Sequence, residues 1–322
     1  MRWSLKQDIA VLMYHGVIRD DAPFDSWTQV RESQFLAQME YLKKNYEVIR
    51  LADIEKSTSK QLRVRRSRAI ITFDDGYRNN YSVAFPVLKH LEFPAIIFPA
   101  TKYIGSRELF WFDKVICAIQ ISDCRGIDLR SMKLRKYLFP SGNRSHRWDA
   151  IQILLSDLKA VDIISRQKAV NIILKTCPFD AEKMFEHLGV LSSKDMLEMS
   201  QSGLVEIGSH THGHEILTQI SKEEAEQTII QSIEFITRHT GKTVRAFSYP
   251  NGNYNDSIKE ILITNKIQYA FTTINGAWNA CSDHLEIPRV AVGGFDNKLR
   301  FIFHLNGFTA KLSHLKRACS IR

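Results

Sequence analysis

The residues best suited to chemistry gather where apolar stretches end. Residues 69–76 read Ala-Ile-Ile-Thr-Phe-Asp-Asp-Gly, a strand-like run that stops at two adjacent carboxylates and a glycine. Side chains alternate between the faces of a strand, so Asp74 and Asp75 reach one site only if the strand ends there and Gly76 lets the backbone turn. Two carboxylates at the carboxyl end of a buried strand suit a divided task, one holding a metal and the other handling protons. A plain Asp-Asp-Gly turn is the competing reading. Residues 205–214, Val-Glu-Ile-Gly-Ser-His-Thr-His-Gly-His, form another apolar run and end in three histidines within five positions. Imidazole is the commonest metal-binding side chain, and with carboxylate it builds hydrolytic sites that keep a coordination position open. Residues 245–252, Arg-Ala-Phe-Ser-Tyr-Pro-Asn-Gly, form a third strand that ends in a proline–glycine turn.

The elements around these stretches alternate. Ile9–Val17 reads as a buried strand ending in His15 and a glycine. An amphipathic helix is predicted over 32–45, with Phe35, Met39 and Leu42 on one face. A short strand at 46–50 and a short helix at 51–57 lead to the Asp74–Asp75 strand. A helix over 79–91 carries Pro86, which predicts a kink or a break. Residues 94–100 form the next strand. Ser221 and Glu224 make a capping box for a helix that Gly241 stops. Strand 245–249, helix 255–265 and strands 269–273 and 287–290 follow. Alternation of this kind predicts a parallel α/β sheet or barrel, whose sites gather at the carboxyl ends of the strands.

Between about 103 and 198 helical patterns replace strands, at 110–121, 148–158 and 163–175, so this stretch reads as a helical insertion in a single domain spanning 1–322. The aromatics around Trp111 either line a substrate groove or pack the insertion. Residues 299–322 read as a closing helix with a basic end.

A hydrophobic share of 44% and a charged share of 25% are those of a globular protein. No apolar run approaches the roughly 18–20 residues needed to cross a membrane, and no signal-peptide core opens the chain. These features predict a cytoplasmic protein. The cysteines at 117, 124, 177, 281 and 319 are scattered and odd in number, which predicts reduced thiols. The net charge of +9 includes basic clusters at 63–68, 133–136 and 311–322. None interleaves with aromatics, so no nucleic-acid partner is expected. A solvated basic surface is the simplest reading, and contact with an anionic membrane face is the alternative.

Taken together, Thr72–Gly76, His210–His214 and Arg245–Gly252 resemble, in order and spacing, the motifs of the polysaccharide deacetylase family, also called the NodB homology domain or carbohydrate esterase family 4. The likeness spans roughly 8–102 and 195–295. It implies an irregular (β/α) barrel of about seven parallel strands and hydrolytic removal of acetyl, usually N-acetyl, from a sugar of a polysaccharide or glycolipid. It also implies one divalent metal, zinc by default and cobalt or nickel otherwise. By resemblance Asp75, His210 and His214 are the ligands, with His212 the rival to His214. Asp74 is the general base, Arg245 orients it with Arg289 as competitor, and a backbone N–H near Tyr249 meets the oxyanion. The family's late Leu-x-His motif is missing, since the region reads Leu285-Glu286-Ile287-Pro288-Arg289. His15 then supplies the general acid, as in a branch with an early Tyr-His motif. By resemblance Trp278 stands in for the tryptophan of the fourth motif. Deformylation, cyclic-amide opening and carbohydrate binding without turnover are the alternatives.

Overall fold

The structure is a computed structural model that describes residues 8–58, 66–122, 124–141 and 144–305. The chain divides into two compact units. The first contains Met1–Asp20, Trp27–Ser106 and Val190–Arg322, and the second Asp21–Ser26 and Arg107–Gly189.

The first unit is built on seven parallel strands in the order Ala246–Ser248, Tyr269–Asn275, Ile287–Ala291, Asp8–Tyr14, Ser67–Asp75, Ala95–Pro99 and Val205–Ile207. Ser209 bridges Phe247 in parallel and brings the two ends of this series together, giving a nearly closed barrel. The expected (β/α) barrel is therefore present. Alternation sorts the side chains of the Ser67–Asp75 strand. Ala69, Ile71 and Phe73 join the large core with residues of the surrounding helices. Ile70 joins a second cluster with Ile96, Phe98, Phe271 and Ile287, contributed by neighbouring strands. Thr72 and Asp74 lie on the Ile70 face.

Local sequence rules explain most of the outer helices. Ser221 and Glu224 form the expected capping box of the Lys222–Thr240 helix, which Gly241 ends at φ 69°. The predicted 79–91 helix breaks into a π-helical turn, Asn80–Ala84, and an α-helix, Phe85–Leu91. Pro86 thus sits in a first turn, where its missing N–H is tolerated. The Ile9–Val17 strand is interrupted at His15, between strands Asp8–Tyr14 and Gly16–Ile18.

The second unit has its own core, in which Val115, Ile119, Leu154, Leu158, Val170 and Ile173 are buried. Its helices are Trp111–Ile121, Arg144–Ala160, Ile163–Thr176 and Ala181–Leu188. A hairpin of Gly126–Asp128 and Lys136–Leu138, absent from the sequence expectation, joins them. The unit is shorter than the predicted insertion. Helix Ser193–Gln201 belongs to the first unit, because Met196 and Met199 pack into the barrel-side core. Trp111 packs against the second unit's own core and carries the Arg166 guanidinium 5.1 Å from its ring. Cys124 and Cys177 form a disulfide, with Cα atoms 5.7 Å apart, which corrects the expectation of reduced thiols for this pair. Proximity in the fold, invisible in their spacing, pairs them.

Helix Lys298–Leu305 begins the predicted closing helix. The rest of that prediction, residues 306–322, lies outside the described residues, as do residues 63–65 of the first basic cluster. Among the described residues no helix is long and apolar enough to cross a membrane.

Candidate active site

Both carboxylates of the Asp-Asp pair reach one site through a backbone turn. Asp74 follows the inward face of its strand. Asp75 would face outward, but it adopts φ 69° and Gly76 φ 78°. A Cβ on Gly76 would also lie 2.6 Å from the Pro99 side chain, so the turn admits glycine alone. Both carboxylates are buried.

Arg289 is completely buried and spends all five of its N–H groups. Its Nη1 donates to Asp74 Oδ1 at 2.8 Å and to Thr72 Oγ1 at 3.2 Å. Its Nη2 donates to Asp74 Oδ2 at 2.7 Å and to Ser248 Oγ at 3.0 Å, and Nε donates to Thr272 O at 2.8 Å. Burial alone would raise the Asp74 pKa, but the guanidinium outweighs it and holds the carboxyl below its usual range. Asp74 is thus a buried carboxylate held in its charged form.

Asp75, His210 and His214 present ligand atoms that all lie within 4.8 Å of one another. Asp75 Oδ1 lies 3.6 Å from His210 Nε2 and 3.2 Å from His214 Nε2. His210 Nδ1 lies 2.7 Å from Ser248 O, so it must donate there, and in the neutral ring Nε2 turns a lone pair toward Asp75. Asp75 Oδ1 is buried with no hydrogen-bond partner among the described residues. A lone pair facing a carboxylate oxygen is repulsive unless something positive lies between them. Burial opposes charge on both groups, yet the His210 and His214 imidazoles hold Asp75 well below its ordinary value, and Asp75 and Asp74 hold His210 above its own. The cluster therefore attracts a cation, and an N₂O donor set with a backbone-fixed histidine suits a divalent metal.

The loop carrying the histidines is strained and pinned. Thr211 and His214 adopt φ 64° and 61°, unusual for residues other than glycine and costing on the order of 1–3 kcal/mol each. Glu215 holds the loop. Its carboxylate accepts from Gly213 N at 2.9 Å and from Thr228 Oγ1 at 2.7 Å, and its own N–H reaches Thr211 Oγ1 at 3.2 Å. His212 turns aside, with Nδ1 3.0 Å from Thr101 Oγ1. The geometry thus brings His214, rather than His212, to Asp75.

His15 comes from the neighbouring strand. Tyr14 pairs with Phe73, which places His15 abreast of Asp74. Burial lowers its pKa against the opposing pull of Asp75 and Asp74. Its ring lies 5.5 Å from that of Trp27, tilted by 66°.

Three sequence expectations need correction. Arg245 does not meet Asp74. Its Nε and Nη2 bind Glu206 at 2.8 and 3.1 Å. Arg245 precedes the Ala246–Ser248 strand, whereas Ser248 at the carboxyl end shares Arg289 with Asp74. Three residues of extended chain span about 10 Å, beyond an arginine's convenient reach back. Tyr249 is also occupied, because its N–H donates to Phe271 O at 3.0 Å and its hydroxyl to Leu285 O at 2.9 Å. Trp278 pairs beside Ile9, at the amino end of the Asp8–Tyr14 strand, and so plugs the opposite end of the barrel. Ser248 and Thr72, both bound to Arg289, were not foreseen as functional positions. A hydroxyl on an otherwise apolar inward face was the available signal. His284, whose Nε2 lies 2.8 Å from Ala280 O, stays out of the site.

Comparison with known proteins places this geometry. The family described as "Polysaccharide deacetylase" matches residues 62–270. The poly-beta-1,6-N-acetyl-D-glucosamine N-deacetylase of Staphylococcus epidermidis is 33% identical over 116 residues, 34% of this chain and 40% of that protein. The protein of the same name from Staphylococcus aureus is 28% identical over 119 residues, 34% of this chain and 41% of that protein. The chain thus matches about two fifths of the length of these relatives. Among solved structures, the Streptococcus pyogenes deacetylase PplD in complex with acetate superposes with a TM-score of 0.60 at 17% identity, covering 92% of this chain and 98% of that one. IcaB from Ammonifex degensii gives 0.57 at 19% identity, covering 89% and 92%. These two likenesses show a shared fold.

Proposed function

The chain belongs to the polysaccharide deacetylase family, and from that premise we propose that it is a metal-dependent hydrolase removing N-acetyl groups from an amino-sugar polysaccharide. The observation that carries this reading is the convergence of Asp75, His210 and His214 beside an Asp74 kept ionised by Arg289. The names of the staphylococcal relatives favour a substrate of β-1,6-linked N-acetylglucosamine. No relative quoted above is named for deformylation, cyclic-amide opening or binding without turnover.

Asp75, His210 and His214 would hold the metal, and the chemistry of the set favours zinc. A divalent cation there would polarise the acyl oxygen and acidify a water. Asp74 takes the proton of the attacking water, and Arg289 keeps its carboxylate charged and aimed. His15, on the adjoining strand, gives a proton to the amine nitrogen as the C–N bond breaks. Barrel strands and the pinned loops at their ends fix these groups, so little reorganisation accompanies the reaction.

The test combines metal analysis with acetate release. Purified protein should hold close to one equivalent of a divalent metal by elemental mass spectrometry and release acetate from β-1,6-linked N-acetylglucosamine oligomers. Asp74→Asn should keep the metal and lose turnover. Metal-loaded protein that releases no acetate, or an active Asp74→Asn variant, would overturn the reading.

A further inference from the structure

Three buried amides lie around the turn that carries His15, and the chemistry above uses none of them. Asn79 and Asn80 closely follow the Asp-Asp-Gly turn, and Gln29 opens the short strand Gln29–Arg31. Asn80 Nδ2 donates to His15 O at 2.7 Å. Asn79 Oδ1 accepts from the Val17 N–H at 3.0 Å, and Asn79 Nδ2 donates to Gln29 Oε1 at 3.0 Å. The amides therefore grip the main chain on both sides of Gly16. Gly16 N in turn donates to Thr28 O at 2.9 Å. A Cβ on Gly16 would fall 2.0 Å from Gln29 Oε1, so the grip closes only over glycine.

Stability alone does not account for this arrangement. Asn80 Oδ1 and Gln29 Nε2 are buried with no hydrogen-bond partner among the described residues. A buried, half-satisfied amide is costly. Asn80 also opens the Asn80–Ala84 π-helical turn, a rare conformation found often at functional sites. The imidazole of His15 has no hydrogen bond of its own to set its direction, since Nδ1 is buried without a partner among the described residues. A proton donor needs a fixed direction, and here the main chain can supply it together with the Trp27 ring that packs against the imidazole.

We propose that Asn80 is a positioning residue for His15, fixing the peptide that aims the imidazole at the leaving group. The proposal rests on the reading of His15 as the acid that protonates the departing amine.

Leaving-group dependence tests it. An amine must be protonated to depart, whereas the phenolate of an activated aryl acetate departs unaided. Metal-loaded Asn80→Leu and His15→Ala are assayed on N-acetylglucosamine oligomers and on an aryl acetate. Asn80→Leu should lower kcat on the oligomer by about 10-fold to 100-fold, a fraction of the roughly 10²–10⁴-fold that general acid catalysis supplies. KM, metal content and the aryl acetate rate should hold within about two-fold, and His15→Ala should show the same selectivity more strongly. If His15→Ala is selective and Asn80→Leu slows both substrates equally or neither, the positioning role is overturned and the acid reading stands. If His15→Ala is not selective, the acid reading falls and the proposal falls with it. Should Asn80→Leu fail to fold, Asn79→Leu, which frees the Val17 side of the same grip, must reproduce the selectivity in smaller degree. Its absence would also overturn the proposal.

Discussion

Arg289 binds Asp74 through two parallel hydrogen bonds, Nη1 to Oδ1 at 2.8 Å and Nη2 to Oδ2 at 2.7 Å, in the closed interior of the barrel. The pair joins residues 215 positions apart in the chain. A planar fork matches a carboxylate in a way that an ammonium cannot. Arg289→Lys keeps the charge and loses the fork, Thr272 O and one or more hydroxyl contacts. It should cost about 3 kcal/mol of stability, as breaking buried pairs does, and lower kcat by about 100-fold or more through a misaimed base. Urea denaturation and steady-state kinetics read the two effects. Near-wild-type kcat would mean that Asp74 needs no partner to act.

Arg245 supplies the contrast. Its partner is Glu206, both side chains are about a quarter exposed, and neither touches the carboxylate pair. Arg245→Ala should therefore cost about 1 kcal/mol or less of stability and leave kcat within about two-fold. A large kcat loss with metal retained would restore Arg245 to the catalytic reading.

These two arginines mark how far the sequence could be read. The strands, their parallel alternation and the capping box at Ser221 follow from local patterns of burial and turn chemistry, and the grouping of Asp75 with histidine was implied by the resemblance of the motifs. The choice between Arg245 and Arg289 does not. Both precede apolar residues in short strands, and only strand register shows that Arg245 lies at the amino end of the barrel and Arg289 on the inward face near its carboxyl end. The same limit hid Cys124–Cys177 and the hairpin of the second unit, whose partners are defined by packing. The positive φ of Thr211 was likewise unreadable, because a β-branched residue disfavours it.

In the second unit, Tyr137 donates to Asp157 Oδ2 at 2.7 Å. Burial, and then Asp157, push its pKa from 10.0 up to about 12. The raised value means that the folded state favours the neutral phenol. This contribution is complete below the unfolded pKa near 10 and is lost as pH rises toward about 12. Tyr137→Phe should flatten the part of the alkaline stability loss that falls in this window. Urea midpoints of both proteins between pH 9 and 12 measure it, and identical pH slopes would remove Tyr137 from the account.

Metal should act on stability as well as on turnover. Without a cation, two buried carboxylates, Asp75 and Asp74, lie close to His210. Binding to the folded state alone stabilises by RT ln(1 + [metal]/Kd), about 2.7 kcal/mol at a hundred-fold excess over Kd. For a unit of this size that corresponds to a rise in Tm of roughly 5–10 °C. Chelation of the wild type should reverse the rise, and added zinc should restore it. His214→Ala should show a much smaller response, because one of three ligands is gone. Asp74→Asn should keep the full response while remaining inactive, since Asp74 is held by Arg289 and faces the proton-transfer task. A Tm that ignores both chelator and zinc would deny the cluster its metal, and loss of the response in Asp74→Asn would exchange the roles of the two aspartates. Calorimetry on the three proteins thus separates the metal ligands from the base without a substrate in the cell.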